Sequence, residues 1–125
     1  MLAVKKSNVI ELIKYDMYCV DNSKDPEYLF YTKSMLNRSI THYLMLKAEE
    51  NIPVNFEKLC DEVNKRIGGR STIYEVLQDG LNRGYFTKSE ADNDKRLRLY
   101  TLSEHYSNYL IKGLEICCER ILQAG

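Results

Sequence analysis

The chain has 125 residues, with 18 Lys and Arg against 18 Asp and Glu, so its formal net charge is zero. That length suits one domain with its own core and is too short for two. No apolar run approaches the ~18 residues that a membrane span needs and nothing at the N-terminus reads as a signal peptide, so no membrane partner and cytoplasmic residence are the expectations.

Taken in order, the pattern predicts a first helix over residues 7–20, with Val9, Ile13, Met17 and Val20 on one stripe. Residues 21–25 are a polar break. Asp25, Pro26 and Glu27 then read as N-cap, N1 proline and first-turn acid of a second helix that holds Leu29, Phe30, Lys33 and Leu36. Asn37, Arg38 and Ser39 interrupt before a third stretch, 40–50, rich in Tyr43, Leu44, Met45 and Leu46. Residues 26–50 are thus one helix or two. A turn over 51–55 ends in Asn55 as the N-cap of a helix over 56–65 that buries Phe56, Leu59, Cys60 and Val63.

Residues 66–69, with Gly68 and Gly69, form a flexible turn into a helix over 71–83. There Ile73, Val76, Leu77 and Leu81 recur at helical spacing as a core-facing stripe. Gly84 stops the helix, with Arg83 in the last turn where a cation suits the dipole. Ser71, Thr72, Tyr74, Glu75, Gln78 and Asn82 occupy the outward face. Residues 85–89 and 97–102 read as strands, with Leu97, Leu99 and Thr101 on alternate positions. Between them, 90–96 is a loop tip that runs from acidic to basic. A last helix over 103–122 presents Tyr106, Leu110, Leu114, Cys117 or Cys118, and Ile121.

A polar helix face beside a charged hairpin is the shape of a winged helix–turn–helix, and it makes double-stranded DNA the leading expected partner. Net charge argues against this, because DNA-binding domains commonly carry a basic footprint. The distribution offsets it slightly: residues 58–100 hold nine Lys and Arg against seven Asp and Glu. Only cations near phosphate release counterions, so a neutral chain can bind DNA if its few cations share one surface.

Four pieces in order, Arg70 to Ile73, Leu81 to Tyr85, Asp94 to Arg96 and Leu102 to Glu104, resemble the MarR family of winged-helix transcriptional regulators over residues 40–104. The resemblance implies a mainly α fold with a small β-hairpin wing (α+β), flanked by N- and C-terminal dimerisation helices. It divides a single domain, 1–125, into N-terminal dimerisation helices (1–38), a winged helix–turn–helix (39–102) and a C-terminal dimerisation helix (103–125). It further implies a homodimer that reads a pseudo-palindromic operator, as a repressor, and is released by a small lipophilic or phenolic effector. Carried over by position, Arg70, Ser71, Thr72 and Tyr74 enter the major groove, and Asp94 orients Arg96 toward the minor groove. Glu75, Gln78, Lys95 and Arg98 complete the expected DNA-binding set. Glu75 departs from the pattern and would repel phosphate unless it accepts from a cytosine amino group. Asp79 adds to that local acidity.

Each sharp reading has a plainer one beside it. Ser71 and Thr72 are expected both to cap their helix and to touch phosphate, while Lys65 and Arg66 flank the turn within reach of the backbone. Among ten tyrosines, Tyr15, Tyr18 and Tyr43 are candidates for an effector pocket, although packing at an interface is the favoured explanation of such residues. Cys19, Cys60, Cys117 and Cys118 lack metal-ligand spacing and read as reduced, mostly buried thiols. Cys19 beside Tyr18 also admits redox sensing, as in peroxide-sensing members of the family, but has no basic neighbour to activate it. His42 and His105 read as structural. No glycine-rich phosphate loop, nucleophile elbow, metal or cofactor motif is present, so an enzyme is not expected. Two alternatives stand against specific DNA binding: a winged helix used as a protein–protein adaptor, and weak non-specific DNA binding.

Overall fold

Small polar residues punctuate the chain, and in the computed structural model, which describes residues 3–123, they mark where most helices begin. The elements are α1 (Lys6–Asn22), α2 (Pro26–Tyr31), α3 (Met35–Glu49), α4 (Phe56–Glu62), α5 (Arg70–Asn82), β1 (Phe86–Ala91), β2 (Asp94–Leu102) and α6 (Glu104–Gln123). This is an α+β winged helix–turn–helix, with α4, the glycine turn and α5 followed by a two-stranded antiparallel wing. The outermost residues of the terminal segments, 1–2 and 124–125, lie outside the described residues.

Local chemistry accounts for the ends. The Asn55 side chain accepts from the Lys58 N–H at 2.7 Å, capping α4 as predicted. Ser103 Oγ accepts from the Tyr106 N–H at 3.1 Å and opens α6. At the close of α5, Gly84 takes φ +79°. The Tyr85 N–H then reaches the Gly80 carbonyl at 2.8 Å and the Gly84 N–H reaches Leu81 at 3.1 Å, the paired bonds of a Schellman end.

Several expectations are corrected. The break between the second and third helices falls at 32–34, not at 37–39. Ser34 caps α3 by accepting from the Asn37 N–H, and the buried Asn37 amide donates to the Phe30 carbonyl at 3.0 Å. Its polarity therefore serves a tertiary bond rather than a loop, and Leu36 belongs to α3. Asp25 sits at the N-cap of α2 but makes no capping bond; its carboxylate instead accepts from the Tyr109 hydroxyl at 2.7 Å. The strands are longer than expected, leaving only Asp92 and Asn93 at the tip. The phase of β2 is also shifted at its base: Tyr100 and Leu102 are buried and Thr101 is exposed. There the strand joins the body, with the Tyr100 N–H bonded to the Val54 carbonyl at 2.8 Å.

The core forms where α2, α3, α4, α5, the strand bases and α6 meet, and includes the predicted Ile73, Val76 and Leu77. Tyr106 is fully buried and stacks on Tyr85 at 4.9 Å, and Phe30 meets Tyr85, Phe86 and Tyr106 at 5.1–5.9 Å. Tyr106 and Leu110, on the helix that the resemblance assigns to dimerisation, are thus spent on the chain's own core. The α1 stripe does the opposite. Val9, Ile13, Met17 and Val20 are 45–63 % exposed, as is Leu114 of α6 at 50 %.

Candidate nucleic-acid interface

Helix α5 starts at Arg70, with Gly69 at the N-cap and no side-chain capping bond. Ser71 and Thr72 therefore do not cap it, contrary to expectation, because the helix begins before them. The first helical bond runs from the Ile73 N–H to the Gly69 carbonyl, so the N–H groups of Arg70, Ser71 and Thr72 are the unspent donors of a helix start. Ser71, Thr72, Tyr74 and Glu75 are all exposed and Gln78 is half-buried. The outward face of α5 is as expected, and its apolar stripe holds it onto the core.

Arg70 is not loose on that face. Its two terminal nitrogens donate to both Glu57 oxygens at 2.8 and 2.6 Å, and the guanidinium lies over the Phe56 ring at 5.1 Å. Phe56 in turn meets Tyr74 edge-on at 6.1 Å. The Arg70 hydrogen bonds hold the Glu57 carboxyl below its usual range. Glu57 was not among the expected site residues, and its pairing crosses from α4 to α5. Asp79 does not add free acidity: Arg83 pairs with it at 2.8 Å and Lys33 at 3.6 Å. Glu75 makes no ion pair among the described residues.

The wing brings together the expected acidic–basic pair. Asp94 Oδ1 accepts the Arg96 N–H at 3.0 Å and lies 3.6 Å from Arg96 Nε. The Arg96 side chain is 94 % exposed, so it is aimed but not covered. Arg98 stands opposite Glu90 in the hairpin register and pairs with it at 3.5 Å, and it also donates to the Lys95 carbonyl. Lys65, Arg66 and Lys95 are exposed and make no ion pair with a described carboxylate.

Tyr15 and Tyr18 line a cleft of about 820 Å³ bounded by α1, α2, α3 and α6. Tyr43 does not. On α3, Arg38, His42 and Met45 share the face turned to the cleft, whereas Tyr43 faces Lys47, whose ammonium lies 5.6 Å from the ring. Tyr28, Tyr31 and Tyr109 line the cleft instead. Tyr31 hydroxyl and His42 Nε2 are 2.5 Å apart. Burial, and then the Arg38 charge, push His42 below its ordinary value. Of the cysteines only Cys60 is buried, against the expectation of mostly buried thiols. Among the described residues no cluster of three His, Cys, Asp or Glu could hold a metal ion, and no helix is long and apolar enough to cross a membrane.

No protein-family model matches the chain, and no curated protein matches it. Three solved structures are similar to it. ZitR of Lactococcus lactis, as a cysteine-to-serine mutant, is 18 % identical with a TM-score of 0.50, covering 98 % of this chain and 84 % of that one. A glutamate-to-alanine mutant of the same protein is 24 % identical over 66 % of this chain, with a TM-score of 0.46; this chain spans about half its length, 53 %. The adhesin competence repressor AdcR of Streptococcus pyogenes is 12 % identical, with a TM-score of 0.40 over 96 % of this chain and 82 % of that one. The near full-length likeness to the cysteine-to-serine mutant of ZitR supports the fold.

Proposed function

We propose that this chain is a sequence-specific DNA-binding transcriptional regulator, a repressor that reads a pseudo-palindromic operator as a homodimer. The observation that carries this is the pairing of an exposed, polar α5 start with a wing whose Arg96 is aimed by Asp94. Helix α5 lies in the major groove, with Arg70, Ser71, Thr72, Tyr74 and Gln78 toward DNA, and the hairpin with Lys95, Arg96 and Arg98 runs beside the minor groove. A second copy covers the exposed α1 stripe and Leu114, since contiguous apolar surface on a small domain marks a contact face. The cleft beside Tyr15 and Tyr18 takes a small lipophilic or phenolic effector.

One observation favours a second reading, a protein–protein adaptor. Arg70, Arg83, Arg96 and Arg98 each already have a carboxylate partner, a mixed-charge surface that also suits a protein. Selection from a random-sequence DNA pool, at near-physiological salt with competitor present, separates the two. An enriched palindrome with half-sites about one helical turn apart is the expected result. A folded dimer that enriches nothing would point to the adaptor.

A further inference from the structure

The exposed pair of Arg70 with Glu57 is geometrically tight yet contributes little to folding. Its side chains are 61 % and 65 % exposed, and exposed ion pairs stabilise proteins only slightly. Even so, the guanidinium is held from two sides, by both carboxylate oxygens at its end and by the Phe56 ring against its face. Both residues come from α4, whereas the arginine opens α5. Such a clamp removes rotamer freedom that a long side chain would otherwise lose on binding.

What the clamp leaves free determines what Arg70 can read. A guanidinium has five N–H donors in a planar fork. Glu57 takes one from each terminal nitrogen, so the edge carrying Nε–H and the remaining proton of its neighbouring terminal nitrogen stays available. Two parallel donors on one edge match the O6 and N7 acceptors of guanine, and they match two phosphate oxygens equally well. The carboxylate breaks that tie. A full negative charge beside the fork disfavours an approaching phosphate and is nearly indifferent to a neutral base edge.

We propose that Glu57 is a positioning and specificity residue, which fixes Arg70 for base readout and keeps it off the phosphate backbone. The inference rests on the DNA-binding reading and adds to it a residue outside α5 and the wing. It makes the discrimination of Arg70 depend on a carboxylate thirteen positions earlier.

The test compares wild type, E57Q, E57A, R70A and E57A/R70A on the selected operator and on a random duplex, at two salt concentrations, with melting temperatures alongside. The ratio of specific to random affinity should fall about tenfold in E57A and in R70A, the scale of one lost base contact. The double variant should fall no further, because both changes remove one unit. Random-duplex affinity should rise several-fold in E57A and E57Q, with a salt slope steeper by about one in E57A as the freed cation meets phosphate. Melting temperatures should stay within a few degrees of wild type. A purely structural Glu57 would instead lower the melting temperature and weaken both duplexes alike. Unchanged discrimination in E57A, or independent addition of the two losses, would overturn the proposal while leaving DNA binding standing. Failure of wild type to bind any duplex would overturn both.

Discussion

Gly80 is where α5 packs against Phe86 at the start of the wing, and replacing it by alanine tests the packing between them. A Cβ on Gly80 would lie 2.6 Å from Phe86 Cε2 and 2.9 Å from Cγ, and closer still to Cδ2. Carbon atoms in contact sit ~3.5–4.0 Å apart, so the ring or the helix must move by roughly 1 Å. Phe86 cannot swing clear, because it is buried and held by Phe30 at 5.6 Å and Tyr106 at 6.1 Å. Overpacking of this kind costs about 1–3 kcal/mol, against about 1 kcal/mol gained from alanine's better helix propensity. Because the obstacle is a clasped ring, the clash should win. We expect Gly80→Ala to lose up to ~2 kcal/mol, a fall of up to roughly 10 °C in melting temperature. The same substitution in a Phe86→Leu background removes the ring and should turn neutral or stabilising. Urea denaturation of the four proteins gives the coupling directly. An equal cost of Gly80→Ala in both backgrounds would refute the steric argument.

Four further outcomes follow from the geometry. Tyr106→Phe leaves the fully buried Thr41 hydroxyl without its 3.1 Å partner and should cost about 1–2 kcal/mol in urea denaturation; no change would mean the bond does not tie α3 to α6. His42 is held below its ordinary 6.5, so the unfolded chain takes up the proton first. Its contribution to stability is complete above about pH 6.5 and is lost as pH falls from there through the folded value, so His42→Gln should flatten the urea midpoint between pH 7.5 and 5. Met17→Glu, in the exposed α1 stripe, should shift the protein to monomer in analytical ultracentrifugation, and an unaltered dimer would exclude that face. Arg96→Ala should weaken operator binding by about 1–3 kcal/mol, measured by titration at fixed salt, and an unchanged affinity would remove Arg96 from the interface.

What the sequence disclosed divides by range. Pro26, Asn55 and Gly84 marked helix ends correctly because their effects act within one turn of the chain. Asn37 misled for the converse reason: its amide looks like a loop signal locally, but its partner is the Phe30 carbonyl seven residues back. Alternation in β2 rests on Leu97 and Leu99 and misses the phase at the base, where Tyr100 and Leu102 turn into the body. On the site, Asp94 and Arg96 were picked out by the family resemblance, and their contact is local, two positions apart. Glu57 was not, since nothing local to α4 announces an arginine on the next helix. Tyr43 was grouped with Tyr15 and Tyr18 by composition, and one step around α3 separates it from the cleft.

Net neutrality was the strongest sequence argument against DNA binding, and the placement of the charges changes its weight. Arg70, Arg83, Arg96 and Arg98 each sit within 4 Å of a carboxylate. The sequence-independent part of DNA affinity comes from cations that displace counterions at phosphate, and a cation already paired contributes less to that term. Specificity is a ratio, so a face that binds random DNA weakly can discriminate well if its aimed arginines recover affinity only on the right bases. Carboxylates at Glu57 and Asp94 are then the means by which a chain with no excess charge could read sequence. The consequence is quantitative. Lys58, Lys65, Arg66, Lys88 and Lys95 make no ion pair among the described residues and are left to meet phosphate, so the salt slope on random DNA should be shallow, at most about four to five per protomer at ~0.9 per cation. A slope of about eight per protomer, that of all nine cations of residues 58–100 at ~0.9 each, would mean that the carboxylates release their arginines on contact and that pairing has no part in the discrimination.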